Sequence, residues 1–534
     1  MRPVFACIHF ILFALLLLNG FNIASAQLAQ NLTVGNAKAL ALANAVTADP
    51  PGIDSIHYNP AGLGLLHDRQ FQFKLITGQF TIAGELKRSD ELQQLLDTSI
   101  FDDPVTNGKS ETSSVSVMLP FMGLTEIPVL LAPLGGASIS SPDQRYTFAN
   151  AVYSQMMVGY NRGENDIARY EGNQLGLTHL TYFSPSIAVR LNDQWLVGAT
   201  LAFNYTGVGI DLEMRVPNAI LGAVESLSDI TCEDDNPIEL WQGLLDLCQG
   251  SLGPFSDIGN LYLEVEDHFN PSINIGALWQ PKPWFSWGFV YQSEAKTQLK
   301  GDFSFDYSQD WFQFFRGLNI SAIGHLIALG LPIPKGVPEE KGSATLEFTV
   351  PAHFSTGISA LLLPSLKMNM DVKWTDTAAW EEFKIEFDQS LDFLNILSLL
   401  APDTVSSQSL TFPRGYESTW SWALGLEYYY DSQLSFRLGY EDRPSSIPKQ
   451  SSDLLAPFGD AFLIGTGLAY RLDKDSLLDL GIGMLKSTTS IPANTSSNVN
   501  STGIDNLIYN PYAGYHIKTS VTAYLLELSY HSTF

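Results

Sequence analysis

From Phe71 to the C-terminus the sequence repeats one unit. A segment of about ten residues alternates apolar with small or polar side chains, and a connection follows. The connections themselves alternate in length. Short ones are Leu191-Asn192-Asp193-Gln194, Gln280-Pro281-Lys282-Pro283, Leu363-Pro364-Ser365, Tyr430-Asp431-Ser432-Gln433 and Leu472-Asp473-Lys474-Asp475, and between them lie long stretches at 216–259, 306–342, 389–413, 443–459 and 487–515. Period-2 alternation puts one face of every segment in an apolar medium. Short turns at one end and long loops at the other then describe an antiparallel up-and-down transmembrane barrel. About fourteen segments are predicted, at 69–87, 112–123, 146–161, 177–191, 195–215, 260–280, 284–303, 343–362, 366–388, 414–430, 433–441, 460–471, 476–487 and 517–534. One connection breaks the alternation: 124–143 should be a short periplasmic turn, yet it is long and apolar at its centre. Either it packs under the barrel or the second strand is misplaced.

The two ends agree with an exported β protein. Arg2, the apolar run Ile8 to Leu18 and the small residues Ala24-Ser25-Ala26 read as a secretory signal peptide over 1–26, with the mature chain beginning near Gln27. Thereafter no apolar run approaches the ~20 residues of a membrane-spanning helix. At the other end Tyr524, Leu526, Leu528, Tyr530 and Phe534 share one face of a terminal strand, with Ser532 departing from the pattern. A net charge of −27 makes nucleic acid an improbable partner, because phosphate binding needs the opposite sign. Cys7 leaves with the signal peptide. Cys232 and Cys248 remain in an oxidising compartment and read as a loop disulfide, with free thiols or metal ligation as the alternatives.

Facing follows from the period. In 195–205 the residues Trp195, Val197, Ala199, Leu201, Phe203 and Tyr205 are expected to face lipid, with Gly198, Thr200, Ala202 and Asn204 inside. The same count turns Arg190, Asp371, Lys373, Glu427, Arg437 and Asp479 into the lumen. A charge on the lipid face near the midplane costs about 2–4 kcal/mol for Arg or Lys. Ahead of the first strand, Asp49-Pro50-Pro51-Gly52 through Asn59-Pro60-Ala61 is too rich in proline to be a strand. Residues 27–68 are therefore expected to form a compact plug, and 69–534 the barrel.

These segments resemble the family of outer-membrane transporters of long-chain fatty acids and aromatic hydrocarbons, the FadL/TodX type. The likeness is carried by Asn59-Pro60-Ala61 before the first strand, by Ser184-Pro185-Ser186-Ile187-Ala188 and by Leu191-Asn192-Asp193-Gln194-Trp195. It continues through Tyr291-Gln292-Ser293-Glu294, Lys300-Gly301-Asp302-Phe303, Trp422 to Asp431 and Phe436-Arg437-Leu438-Gly439-Tyr440. The resemblance implies a monomeric fourteen-stranded barrel with an N-terminal hatch in its lumen. It also implies capture of a hydrophobic ligand by extracellular loops, a buried site touching the hatch, and sideways exit at a kink in the third strand. Gly159 and Asn161 are the places where that strand would bend.

Two loop stretches are strongly apolar: one from Trp311 through Phe312 and Phe315 to Leu326 and Leu329, the other from Leu391 to Leu400. Apolar surface on that scale needs a reason. The helices either pack on each other as a loop core or leave a ligand groove. A fatty-acid carboxylate would need a cation, and Arg437 and Lys373 are the candidates, set against a plain ion-pair network stiffening the wall. Asn59 either holds its own turn or touches ligand. No Gly-x-Ser-x-Gly or His-Glu-x-x-His motif occurs, so neither enzyme chemistry nor a cofactor or metal is expected. The expected function is uptake of hydrophobic molecules across the bacterial outer membrane, among its lipid and lipopolysaccharide. The alternative is a general porin or a structural or adhesive barrel.

Overall fold

Backbone pairing closes the chain on itself. The first long strand, β1 (Arg69–Arg88), runs antiparallel to the last, β14 (Tyr515–Thr533), in unbroken register from Gln70 opposite Thr533 to Arg88 opposite Tyr515. The computed structural model describes residues 31, 33–89, 103–215, 252, 256–321, 325, 328–329, 333–400, 403–502 and 510–534. Between the two closing strands lie β2 (Lys109–Glu111 with Leu130–Ser140), β3 (Tyr146–Asn161), β4 (Gln174–Phe183 with Ser186–Arg190), β5 (Trp195–Arg215), β6 (Asp257–Lys282) and β7 (Phe285–Gln292 with Ala295–Tyr307). They continue as β8 (Glu339–Val350 with His353–Leu363), β9 (Leu366–Thr375 with Glu382–Phe387), β10 (Ser409–Pro413 with Thr419–Tyr429), β11 (Leu434–Arg443), β12 (Ala461–Arg471) and β13 (Ser476–Ile491). Each pairs with the next, giving the closed fourteen-strand antiparallel barrel that the alternation predicts. Closure matters in a bilayer because an open sheet edge would strand its backbone N–H and C=O groups in hydrocarbon.

Inside and outside follow the period. On β14 Tyr524, Leu526 and Leu528 point outward, while Ala523, Leu525, Glu527 and Ser529 are buried in the lumen. Three of the short turns share one piece of chemistry. Asn192 Oδ1 accepts from the N–H groups of Gln194 and Trp195, Asp431 Oδ1 from those of Gln433 and Leu434, and Asp473 Oδ1 from that of Asp475. An Asn or Asp at the head of each of these three turns thus satisfies donors that no strand can reach.

One expectation is corrected. The second strand, expected at 112–123, does not lie in the wall, and 124–143 is not a periplasmic turn. The wall position belongs to Leu130–Ser140, which pairs with β1 and β3, and the turn is the tight 141–145. The residues between form a separate hairpin, Val115–Leu119 paired with Gly123–Ile127. Alternation identified a strand there, but a period does not say which neighbour a strand pairs with. The predicted strand at 366–388 is likewise interrupted, by a one-turn 3-10 helix at Thr377–Ala379. The signal peptide and Cys232 and Cys248 lie outside the described residues.

Residues 33–66 fill the lower lumen. Helix α1 (Ala37–Ala41) is capped by Asn36, whose Oδ1 accepts from the Ala39 N–H at 3.0 Å. Helix α2 (Ser55–Tyr58) and a 3-10 turn at Pro60–Leu65 follow. The wall beneath α1 is flattened by glycine: a Cβ added to Gly439, Gly465 or Gly481 would overlap the backbone of Leu42, Leu40 or Ala37. Polar contacts fix the hatch from opposite sides. Asp54 is fully buried and accepts from Asn36, Gln72 and Lys74 at 2.6–2.7 Å, and Asp371 Oδ2 accepts from the N–H groups of Val46 and Thr47 at 2.8 Å.

Candidate functional site

Above the hatch the lumen opens into an apolar cavity of about 260 Å³. Its walls come from inward positions of the barrel, among them Phe80, Met156, Val158, Leu177 and Ile210, and its roof from Phe348, Trp380, Phe383 and Phe412. The roof is an aromatic cluster in which Phe348, Trp380, Phe383 and Tyr416 pack at ring separations of 5.7–6.1 Å. Two charged side chains reach this apolar surface. Arg414 pairs with Asp453, and its Nε has no partner among the described residues. Glu171, in the loop between β3 and β4, accepts from the Leu454 N–H with one oxygen, and its other oxygen has no partner among the described residues. Burial pushes its carboxyl up to about 8, with Arg414 and Arg162 pulling the other way. At neutral pH Glu171 is therefore a neutral acid. The cavity thus offers an apolar body with Arg414 and Glu171 on its lining.

The cavity meets a window in the wall. Along β1 the lower segment of β2 stops at Leu130 opposite Gly78, and its upper segment resumes at Glu111 opposite Ala83. On the facing edge β3 loses β2 after Val152, and its next ladder partner on that side is Ser114, bridged to Asn161. A bulge between Ser154 and Met156 lies in that unpaired stretch, where the Ser154 carbonyl accepts from Thr33 of the hatch. Phe80 and Met156 stand at the window's two edges, and both line the cavity. From outside, Val115, Val117, Leu130 and Met157 close the window as a small buried cluster against Phe80.

The residues singled out in the sequence are distributed as follows. Asn59 is spent on the hatch: its Oδ1 accepts from the Ala61 N–H, and its Nδ2 donates to the carbonyls of Thr47 and Ala277. Pro60 and Ala61 open the 3-10 turn that seats against β5. Arg437 lies between Glu427 and Asp479 at 2.7 and 2.5 Å, and Lys373 lies 2.7 Å from Glu441, so both sit in a buried ion-pair network beside the hatch. Phe315 is buried on helix α3 (Gln309–Ile320) against Trp311, and Phe312 lies beneath Arg316. Helix α4 (Asp392–Leu400) packs beside the same loop core through Phe393, stacked on Phe305 at 4.3 Å. None of these lines the cavity, and Leu326 lies outside the described residues. Gly159 and Asn161 stand at the top of the window's free edge. The sequence reading missed Trp380, Phe383, Arg414 and Glu171. The Phe412-Pro413-Arg414 run, a cation beside an aromatic at a loop end, was the available signal.

Comparison with known proteins agrees with this architecture. The family model described as "Outer membrane protein transport protein (OMPP1/FadL/TodX)" matches residues 15–534. A long-chain fatty acid transport protein of Escherichia coli O6:H1 is 24% identical over 349 residues, which cover 65% of this chain and 64% of the relative. Its counterpart in strain K12 is 23% identical over 212 residues, covering 40% and 41%. The chain therefore spans less than two thirds of the length of the curated relatives it matches. Among solved structures, a Pseudomonas aeruginosa FadL homologue superposes with a TM-score of 0.65 at 16% identity, over 96% of this chain and 100% of that one. The Pseudomonas putida toluene transporter TodX gives 0.58 at 13% identity, over 94% and 99%. At these identities the structural likeness concerns the fold.

Proposed function

This chain belongs to the OMPP1/FadL/TodX family of outer-membrane transport proteins, and from that premise we propose that it takes up hydrophobic molecules by passive diffusion. Long-chain fatty acids or related lipophilic compounds are the substrates. The protein is a bacterial outer-membrane barrel. It works as a monomer among outer-membrane lipid and lipopolysaccharide. The observation that carries the reading is the aromatic-roofed cavity set between a tightly bonded hatch and the extracellular loops. Ligand enters past the loops, rests in the cavity, and leaves sideways between β1 and β3. Arg414 and Glu171 on an otherwise apolar lining suit a polar head group with its chain laid along Phe383 and Trp380, so an amphiphile fits better than a plain hydrocarbon.

A general porin is the competing reading, and the filled lower lumen speaks against it. Single-channel recording separates the two: the transporter carries almost no ion current, whereas a steady, large conductance would identify a porin. Structure determination on protein purified from its membrane tests occupancy. Elongated density against Trp380 and Phe383 is expected, and a cavity filled only by water would count against the site.

A further inference from the structure

The hairpin Val115–Leu119 and Gly123–Ile127 takes no part in closing the barrel, and it lies on the outside. Gly159, Gly176 and Gly209 are aligned neighbours across β3, β4 and β5. A Cβ on Gly159 would overlap the Ser116 carbonyl, one on Gly176 would come within 3.0 Å of the Val117 carbonyl carbon, and one on Gly209 within 2.9 Å of Leu124. The residues beside these glycines, Val158, Leu177 and Val208, line the cavity. Alternation therefore puts the hairpin on the opposite, outer face. Two polar contacts pin it there: Gln174 Nε2 donates to Ser116 Oγ at 2.8 Å, and the Leu124 N–H donates to Glu264 Oε1 at 2.6 Å.

The hairpin tip is a tight turn in which the Met122 N–H donates to the Leu119 carbonyl, with Pro120 and Phe121 at the centre. Phe121 has φ +64°, a conformation that suits Gly or Asn and strains a bulky residue. Phe121 is nevertheless 89% exposed and Met122 is 70% exposed. The Phe121 ring stacks on His268 at 4.9 Å, and the next residue, Phe269, continues the outward aromatic row Phe269, Phe203 and Phe183 at 5.5 and 5.8 Å. The tip thus extends the aromatic, lipid-facing band of the barrel rather than standing apart from it.

We propose that this hairpin is a lipid-seated door. Phe121 and Met122 anchor its tip among outer-leaflet acyl chains, and its stem covers the window between β1 and β3 until it lifts to let ligand pass Phe80 into the membrane. Continuity with the aromatic band selects lipid as the occupant of the tip. The door's role in passage rests on the proposed transport function, but its seat in lipid does not.

Two measurements on the full-length protein in liposomes test this. In the first, a nitroxide is attached to Met122→Cys, with the wild-type chain as labelling blank. Collisions with lipid-soluble oxygen are expected to exceed those with a water-soluble nickel chelate. Dominant nickel collisions would overturn the seat in lipid, as would spin–spin broadening that shows a second copy on the tip. In the second, Ser116→Cys with Gln174→Cys ties the stem to β4. Uptake of labelled oleate by the oxidised pair is expected to fall at least fivefold and to return on reduction, with wild type indifferent to the oxidant. Equal rates in the tied and reduced forms would overturn the door. Wild-type protein that moves no oleate would instead sink the transport function and the door's role with it, leaving the seat to the first measurement.

Discussion

Lys74 and Asp54 lie 2.6 Å apart with almost no exposure, joining β1 to the hatch across the lumen. A buried pair is a weak source of stability as a whole, but removing one partner strands the other charge. Lys74→Met should therefore destabilise the barrel by about 3–5 kcal/mol. Lys74→Met with Asp54→Leu should recover most of that loss, and the temperature of the heat-induced mobility shift on gels measures both. Glu171 gives a second prediction. Its carboxyl, raised from 4.5 to about 8, keeps in the folded protein a proton that the unfolded chain releases. The stability that this proton contributes should fall as pH rises from 4.5 to about 8 and then level off. Glu171→Gln should make the fall of unfolding temperature with pH shallower over that range. At this scale the sequence told which charges point inward but not what they meet. Arg437 and Lys373 are inward as the period requires, yet their partners arrive from other strands. Arg414 finds Asp453 only because two loops fold over the same cavity.

Elements were legible where a period and a turn signal coincide. The Asn and Asp turns, the outward aromatics of β14 and the non-strand character of 49–63 could all be read from spacing alone. The hairpin could not: Val115 and Val117 alternate as wall residues do, and only the glycine track across Gly159, Gly176 and Gly209 reveals that a second layer lies on top. The same reasoning applies inside the lumen, where inward glycines let α1 approach the wall. A Cβ at Gly465 would overlap the Leu40 carbonyl, so Gly465→Ala should push α1 off its shelf. The expected result is a leakier barrel with raised single-channel conductance. Thr466→Ala, one residue along, is the comparison that should leave conductance low.

For the whole molecule, fourteen strands, a hatch and long loops divide the labour. The closed sheet satisfies the backbone in the bilayer, the hatch fills the lower lumen, and an apolar cavity lies behind a gap in strand pairing that the hairpin covers. The barrel and hatch were readable because parity and proline leave few other folds. The cavity was not, because its lining is gathered from the wall and from several loops. The central claim is uptake of hydrophobic molecules, and the direct measurement is the initial rate of labelled oleate entry into cells in which this protein is the sole outer-membrane transporter of its kind. A rate well above that of the empty strain, lowered by Phe383→Arg in the cavity roof, is the predicted result. A rate equal to that of the empty strain would contradict the account.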